Sequence, residues 1–382
     1  MEDSLIKKEA EIMAIKSIDV MNVLVFQRQW RKNNGDTKLG ELKEGDRISD
    51  GFHLDFGDGI NVLIGENGVG KTSLLKMIYA ATQWSIEKTD PGKTRQLLHF
   101  FSDHLKDNMV LRSPAHKDGY CAFSVSDGEH TFEYSLSHDG IFNFGDWLGL
   151  NHQSVFIPTM EMLSHAKSFL AMNQKYSMPF DGTQIDIIVN ASLPETREVS
   201  PVASKILENL SGIIDGTVVQ DEDIFYVLKN DGRKVDFSLE AEGYRKFGLL
   251  WKLIRNGLLE KGTILLWDEP EANLNPELYP VLADVLISLT ECGVQCFLAT
   301  HSYNFAKYLE IRRNATEQVL FHNLYKGTTE LSDGMRNAFP EEKPGVTVYS
   351  SSAPHLEDLE PNSIMNADKV LLDEVYNIRS EP

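Results

Sequence analysis

Residues 60–80 read INVLIGENGVGKTSLLKMIYA, and no other stretch limits the fold of this chain so tightly. Ile60 to Ile64 is a short continuous apolar run, the pattern of a strand buried on both faces. Gly65 to Gly70 interrupts it. From Lys71 onward the apolar residues Leu74, Leu75, Ile78 and Tyr79 recur at helical spacing. A buried strand, a glycine-rich turn and a helix in that order, carrying G-x-x-x-x-G-K-T, make a phosphate cradle. The glycines let successive backbone N–H groups point inward around an anion. The helix start near Lys71 adds the positive end of its dipole. Lys71 reaches the β- and γ-phosphates as a point charge, and Thr72 offers a hydroxyl to Mg²⁺. The expected nucleotide-binding set is therefore Gly65, Glu66, Asn67, Gly68, Val69, Gly70, Lys71, Thr72 and Ser73, with ATP and Mg²⁺ as the bound species.

A second apolar run, Thr263 to Trp267, leads straight into Asp268, Glu269 and Pro270. A buried strand that ends in two carboxylates sets them at its C-terminal edge, beside a nucleotide crevice. Asp268 is the expected Mg²⁺ ligand, directly or through water. Glu269 is the expected general base, polarising the attacking water. A third run, Gln295 to Thr300, ends at His301, a residue able to hydrogen-bond a γ-phosphate and sense its loss. Lys71, Glu269 and His301 are thus the catalytic candidates.

The rest of the chain reads more coarsely. Ile15 to Gln27 is rich in β-branched residues and predicts one or two strands; Arg28 to Ser49 is polar and predicts a loop. Tyr120 to Ile141 alternates around Asp127-Gly128, a hairpin signal, and Ile224 to Leu239 does the same around Asp231-Gly232. Ser154 to Pro158 is a short strand. Met160 to about Gly212 is mainly helical, punctuated by Pro179, Pro194 and Pro201, and Glu242 to Leu259 and Glu277 to Thr290 are further helices. The last stretch, after His301, is polar and mixed and gives no clear pattern.

Charge and cysteines narrow the function classes. Acidic residues outnumber basic ones 57 to 37, a formal charge of −20. Nucleic-acid binders are usually basic, because Lys and Arg must replace counterions along the phosphates. DNA is therefore possible through a local patch but is not the expected main ligand. Cys121, Cys292 and Cys296 are odd in number and predict reduced thiols. The N-terminus lacks the apolar core of a signal peptide. No apolar run approaches the roughly 18 residues that span a bilayer. The expected setting is cytoplasmic.

The order of P-loop, LLWDEP and a strand ending in Thr-His resembles that of the ABC-type ATPases. Within their soluble branch, with the SMC and double-strand-break repair ATPases, the phrases at 60–80, AEGYRKFGLLWKLIRNG at 241–257 and TILLWDEPEANLNP at 263–276 resemble the AAA-15/AAA-21 group, relatives of OLD-family and Septu-type anti-phage ATPases. The resemblance implies an α/β P-loop NTPase fold of ABC-ATPase type. Its mixed central sheet would carry an antiparallel β subdomain and a helical lid lobe. One domain over 14–382 would comprise a β-rich P-loop lobe at 14–150, a helical insertion at 160–245, an acid-pair and histidine half at 246–310, and a C-terminal extension at 311–382.

The same resemblance assigns further residues. AEGYRK stands at the ABC signature, with Gly243 as the signature glycine; the usual serine is missing, and Ala241 or Glu242 stands there. A carboxylate near a γ-phosphate is unfavourable unless it points away. Ala272 to Asn275 stands at the D-loop, with Asn275 in place of the usual aspartate. VFIPTMEMLSHAKSF at 155–169 resembles the segment between the lobes, and Glu161 is the candidate for a metal- or water-linked contact, with Gln153 the weaker one. The implied assembly is a homodimer or higher even oligomer with two ATP molecules between subunits, opened by hydrolysis. About 200 residues separate the P-loop from Asp268, too few for a long SMC coiled coil. Asp358, Asp368 and Asp373–Glu374 make no convincing nuclease constellation, so a nuclease or toxin activity would belong to a partner protein. Three functions stay open: a sensor ATPase controlling such an effector, a nucleotide-gated scaffold with little turnover, and a DNA-repair ATPase.

Overall fold

The structure, a computed structural model, describes residues 14–26, 51–86, 121–136, 147–176, 180–328 and 346–380. The stretch 28–49, expected as a loop, lies outside them.

The sheet that carries the P-loop has six strands. They are β3 (Ile60–Gly65), β6 (Ser154–Ile157), β10 (Ile264–Asp268), β11 (Gln295–Ala299), β12 (Val319–Thr328) and β13 (Val346–Ala353), in the order β13-β12-β3-β11-β10-β6. Five run parallel, with Leu63 opposite Ala299, Leu266 opposite Phe297 and Leu266 opposite Phe156; β13 alone runs antiparallel, on the edge. Parallel strands need both faces covered, and β3, β6, β10 and β11 are buried at every position. Their shared direction brings Gly65, Ile157, Asp268 and Ala299 to one edge, where the functional residues gather.

Alternation along these strands builds two cores. Leu63, Phe156, Leu266 and Phe297 face α1 (Lys71–Ile86) and a four-stranded antiparallel sheet. That sheet runs β2-β1-β4-β5, from β1 (Ser17–Met21), β2 (Phe52–Asp55), β4 (Cys121–Ser126) and β5 (Thr131–Leu136). Val62, Leu265, Trp267 and Leu298 face the other way, into a core shared with α6 (Tyr279–Glu291) and α7 (Tyr303–Arg312).

Between the strands β6 and β10 the chain forms a mostly helical lobe. It holds α2 (Phe169–Tyr176), α3 (Gly182–Ala191), α4 (Pro201–Ile214) and α5 (Glu242–Arg255). Asp181 starts α3 through a reciprocal capping box with Gln184, and Ser200 caps α4 ahead of Pro201. Asp181 also pairs with Lys76 at 2.6 Å, and Asp186 accepts from the Tyr79 hydroxyl, so the lobe is tied to α1 behind the P-loop. A three-stranded sheet of β7 (Gly216–Asp221), β8 (Ile224–Lys229) and β9 (Lys234–Asp236) lies in the same stretch. The hairpin around Asp231-Gly232 is there as expected; β7 extends it by a strand that the sequence pattern does not single out.

The C-terminal part contributes more order than its mixed composition suggests. β12 enters the central sheet beside β3, pairing Leu324 with Gly65, and α8 (Ser363–Ser380) follows β13. His322 and Asn323 interrupt the apolar pattern of β12 yet are fully buried. His322 is matched by Ser352 at 2.8 Å and Asn61 at 3.2 Å, and Asn323 donates to the Pro361 carbonyl. Burial pushes the His322 ring down to a pKa of about 3, so it is neutral. Cys292 and Cys296 are free thiols. No helix among the described residues is long and apolar enough to cross a membrane.

Candidate functional site

The P-loop turns away from the sheet at Gly65, the last residue of β3. Its φ of +136° and its approach to β12 both exclude a side chain: a Cβ there would lie 2.1 Å from the Leu324 carbonyl oxygen. At the other end Gly70, with φ of +90°, lies against the Phe26 ring, 2.6 Å from where a Cβ would be. Val69 is fully buried in the β-sided core and anchors the loop, while Glu66, Asn67 and Gly68 face outward. Lys71 bends back into this loop. Its Nζ donates to the carbonyls of Gly65 at 2.8 Å and Glu66 at 2.9 Å. Burial lowers its pKa from 10.5 to about 8, against the opposing pull of Asp268 and Glu269.

Thr72 and Asp268 meet across the crevice, although far apart in sequence. The Thr72 hydroxyl lies 3.1 and 3.0 Å from the two Asp268 oxygens, and the Thr159 hydroxyl donates to Oδ2 at 3.1 Å. Burial raises the Asp268 pKa, and the two hydroxyl bonds oppose this. Hydroxyl and carboxylate oxygens are the hard donors that Mg²⁺ takes, and a magnesium bound with a nucleotide needs only one or two protein ligands. The donor set and the cradle therefore fit Mg²⁺ with a triphosphate. No cluster of three or more His, Cys, Asp or Glu side chains able to hold a metal occurs among the described residues.

Glu269 and His301 face each other beside Lys71. Glu269 adopts a left-handed φ of +51°, and its N–H donates to the Ala299 carbonyl at 2.8 Å. Its Oε1 lies 3.6 Å from His301 Nε2, and His301 Nδ1 lies 3.5 Å from Lys71 Nζ. Burial, then the Lys71 charge, lowers the His301 pKa, so the contact with Glu269 is not an ion pair near neutral pH. An ammonium can only donate, which makes Nδ1 the acceptor and leaves the imidazole N–H on Nε2, toward Glu269. Ser302 caps α7 directly after the histidine and fixes where the strand ends.

The remaining candidates lie apart from this cluster. Gly243 is the second residue of α5, and a Cβ there would lie 3.0 Å from the Leu274 side chain and 3.7 Å from the Asn273 carbonyl. The Oε1 of Glu242 accepts from the Asn273 side-chain amide at 2.7 Å. Ala241 stands at the N-cap of α5 with no side-chain cap, as the missing serine requires. Asn275 is exposed and caps the turn Pro276–Leu278 by accepting from the Glu277 N–H.

The segment between the lobes places its candidates as follows. Glu161 is buried, but its carboxylate is occupied by protein donors. Oε1 accepts from the Leu163 N–H at 2.5 Å, and Oε2 pairs with Arg245 at 3.1 Å. Thr159, in the same segment, is the residue hydrogen-bonded to Asp268. Gln153 precedes β6, at the N-terminal end of that parallel strand and so at the opposite edge, where its carbonyl accepts from Ile264. Thr159 is readable only once β6 is known to lie beside and parallel to β10. Glu271, whose Oε1 accepts from the Thr300 hydroxyl and the His301 N–H, stands in plain view in Asp268-Glu269-Pro270-Glu271 but has no assigned meaning there.

Two family models match the chain. One, described as an AAA domain, putative AbiEii toxin, Type IV TA system, matches residues 179–306; the other, an AAA domain, matches residues 44–146. The first includes Asp268, Glu269 and His301, the second the P-loop. The chain is thus similar to AAA-type P-loop ATPase domains over these two stretches. A curated relative is the L-cystine import ATP-binding protein TcyN of Bacillus subtilis (strain 168), 24% identical over 161 residues. That match takes in 36% of this chain and 58% of the relative, less than two thirds of its length. Among solved structures, the SMC head domain from Thermotoga maritima aligns with 15% identity and a TM-score of 0.43, over 89% of this chain and 99% of that one. The SMC head bound to the C-terminal winged-helix domain of ScpA aligns with 12% identity and a TM-score of 0.47, over 89% and 98%. In the P-loop ATPase fold seen here, a mixed central sheet carries the loop and an antiparallel sheet covers one of its faces.

Proposed function

We propose that the chain binds and hydrolyses ATP and works as a dimeric switch, the sensor ATPase of a prokaryotic anti-phage system that controls a separate effector. One observation carries the catalytic part: Lys71, Thr72, Asp268, Glu269 and His301 come from three segments and converge at one sheet edge. Lys71 and the loop N–H groups bind the phosphates. Thr72 and Asp268 would hold Mg²⁺, which supplies charge neutralisation between the phosphate oxygens when bound. Glu269 takes the proton of the attacking water at its carboxylate. His301, neutral and donating from Nε2, orients that carboxylate and lies within reach of the transferred phosphoryl group.

The dimer rests on what the site leaves outward. Gly243 is half-buried and Asn275 exposed, and neither contacts the cluster of its own chain, which suits contact with the nucleotide of a second copy. Losing the γ-phosphate would then remove charge-assisted bonds across the interface. The defence role is supported by the toxin–antitoxin description of the family model, and the cytoplasmic setting and effector partner follow from that role. Turnover by wild type, with trapping of an ATP-bound dimer by Glu269→Gln, tests this reading. A light-scattering mass that stays monomeric with ATP for both proteins refutes the switch.

A second reading has its own observation. Ala241 provides no hydroxyl at the start of α5, and a signature lacking one contact to the γ-phosphate suits a scaffold that turns over slowly while holding a partner. Steady-state turnover separates the two. The acidic charge disfavours a DNA-repair role, which salt-dependent DNA binding would revive.

A further inference from the structure

Behind the catalytic residues lies a buried pair that the proposed mechanism does not use. Glu271 is 8% exposed and Lys246, on the second turn of α5, is 5% exposed. Charged side chains this deeply buried are costly unless they are paired, so their partners need an account. Glu271 Oε1 accepts from the Thr300 hydroxyl at 2.5 Å and from the His301 N–H at 3.1 Å. Its Oε2 is buried with no hydrogen-bond partner among the described residues. Lys246 Nζ donates to the carbonyls of Glu269 and Pro270, both at 3.1 Å. One carboxylate thus grips the peptide N–H of the histidine, and one ammonium grips the peptide carbonyl of the general base.

We propose that Glu271 and Lys246 are positioning residues. Glu271 fixes His301 at the end of β11, and Lys246, from α5, fixes the left-handed backbone of Glu269. The same helix reaches Asn273 through Glu242 and Glu161 through Arg245. A shift of α5 would therefore move the Glu269 and Pro270 backbone directly. Neither side chain needs to touch the nucleotide, so the pair acts on turnover rather than on binding. This rests on the hydrolytic reading of the site.

The test uses the full chain, with ATPase turnover and the affinity of a fluorescent ATP analogue measured side by side. Wild type and Glu269→Gln decide the hydrolytic reading itself: turnover in the first and loss in the second. Given that, Glu271→Ala is expected to lower kcat by about 30-fold or more, with nucleotide affinity within about twofold of wild type, as expected for lost orientation of a catalytic group. Glu271→Gln keeps an acceptor for Thr300 and His301 and should recover about tenfold of that loss, a rescue that a packing defect would not show. Thr300→Val guards against a misfolded alanine variant: it removes one of the two bonds and should lower kcat about fivefold at unchanged affinity. Turnover within threefold of wild type in Glu271→Ala, a glutamine variant as slow as the alanine one, or kcat unchanged in Thr300→Val where the alanine variant is unfolded, each overturns the proposal.

Discussion

Lys71 gives the site a pH dependence whose size follows from its surroundings. In this structure the ammonium lies among loop carbonyls, and burial holds its pKa at about 8 in place of 10.5. That difference corresponds to about 3 kcal/mol of lost preference for the charged form. A bound triphosphate, with several negative charges beside Nζ, restores the preference. Binding therefore takes up a proton whenever Lys71 starts neutral. The sign is fixed: affinity is full below the free-state pKa and falls as pH rises through it. From about pH 7.5 to about pH 9.5 the charged fraction of the free protein falls from about three quarters to about 3%, so affinity should drop about 25-fold.

Equilibrium titration with a fluorescent ATP analogue across that range measures the slope. Neighbouring groups stay out of the way: His301 is shifted down, below the window, and the terminal phosphate is already ionised there. Lys246 is also lowered to about 8, but its ammonium faces the carbonyls of Glu269 and Pro270. Lys71→Met should therefore bind weakly with a flat profile, whereas Lys246→Met should keep the slope. A flat profile in wild type, or a slope that survives Lys71→Met, refutes the assignment of Lys71 as the phosphate-facing cation.

Three other perturbations probe separate parts of the site. Gly70→Ala combines a left-handed φ with a clash against Phe26; the backbone cost alone is about 1–3 kcal/mol, so calorimetry should show a lowered Tm and titration the loss of ATP binding. Thr72→Val keeps the shape of the helix start and removes the hydroxyl beside Asp268, so the Mg²⁺ concentration needed for half-maximal turnover should rise about tenfold or more, read from magnesium titrations at saturating ATP. Glu161→Ala leaves Arg245 without its buried partner, and chemical denaturation should show a loss of about 3 kcal/mol, while the Mg²⁺ requirement stays unchanged because Thr159, not Glu161, adjoins Asp268.

The parts of the site that were legible in the sequence share one property: each is a short segment whose chemistry is local. The P-loop needs its own strand, turn and helix, and Asp268–Glu269 needs only a buried strand ahead of it. What stayed hidden depends on which strands lie side by side. Thr159 contacts Asp268 because β6 pairs with β10 in parallel, Leu266 opposite Phe156, across more than a hundred residues of intervening chain. β12 was obscured for a different reason. His322 and Asn323 break its apolar run; the His322 ring is matched by Asn61 and Ser352 and the Asn323 amide N–H by Pro361, none of them nearby in sequence.

The start of α5, which resembles an ABC signature, shows how a departure from that pattern can be answered elsewhere in the same chain. Glu242, taken alone, is a carboxylate where a phosphate is expected, and Coulomb repulsion makes that position unfavourable. Its oxygen instead accepts from Asn273, two residues before Asn275, which itself replaces an acid. An aspartate at position 273 would repel Glu242, whereas an amide donates to it. The amide character of Asn273 and the carboxylate of Glu242 are thus one arrangement, holding the first turn of α5 to the loop after Asp268–Glu269. Asn273→Asp should break that arrangement with a change of one functional group and almost no change in volume. Two like charges would then meet where a 2.7 Å hydrogen bond now stands. Because the pair is exposed, the loss in fold stability should stay within about 1 kcal/mol, but Glu242 would be freed to swing outward, toward a second copy. ATP-dependent dimerisation, followed by light scattering, should weaken in Asn273→Asp and recover in the double variant that also carries Glu242→Gln. Failure of the second change to restore it would show that the two residues act independently.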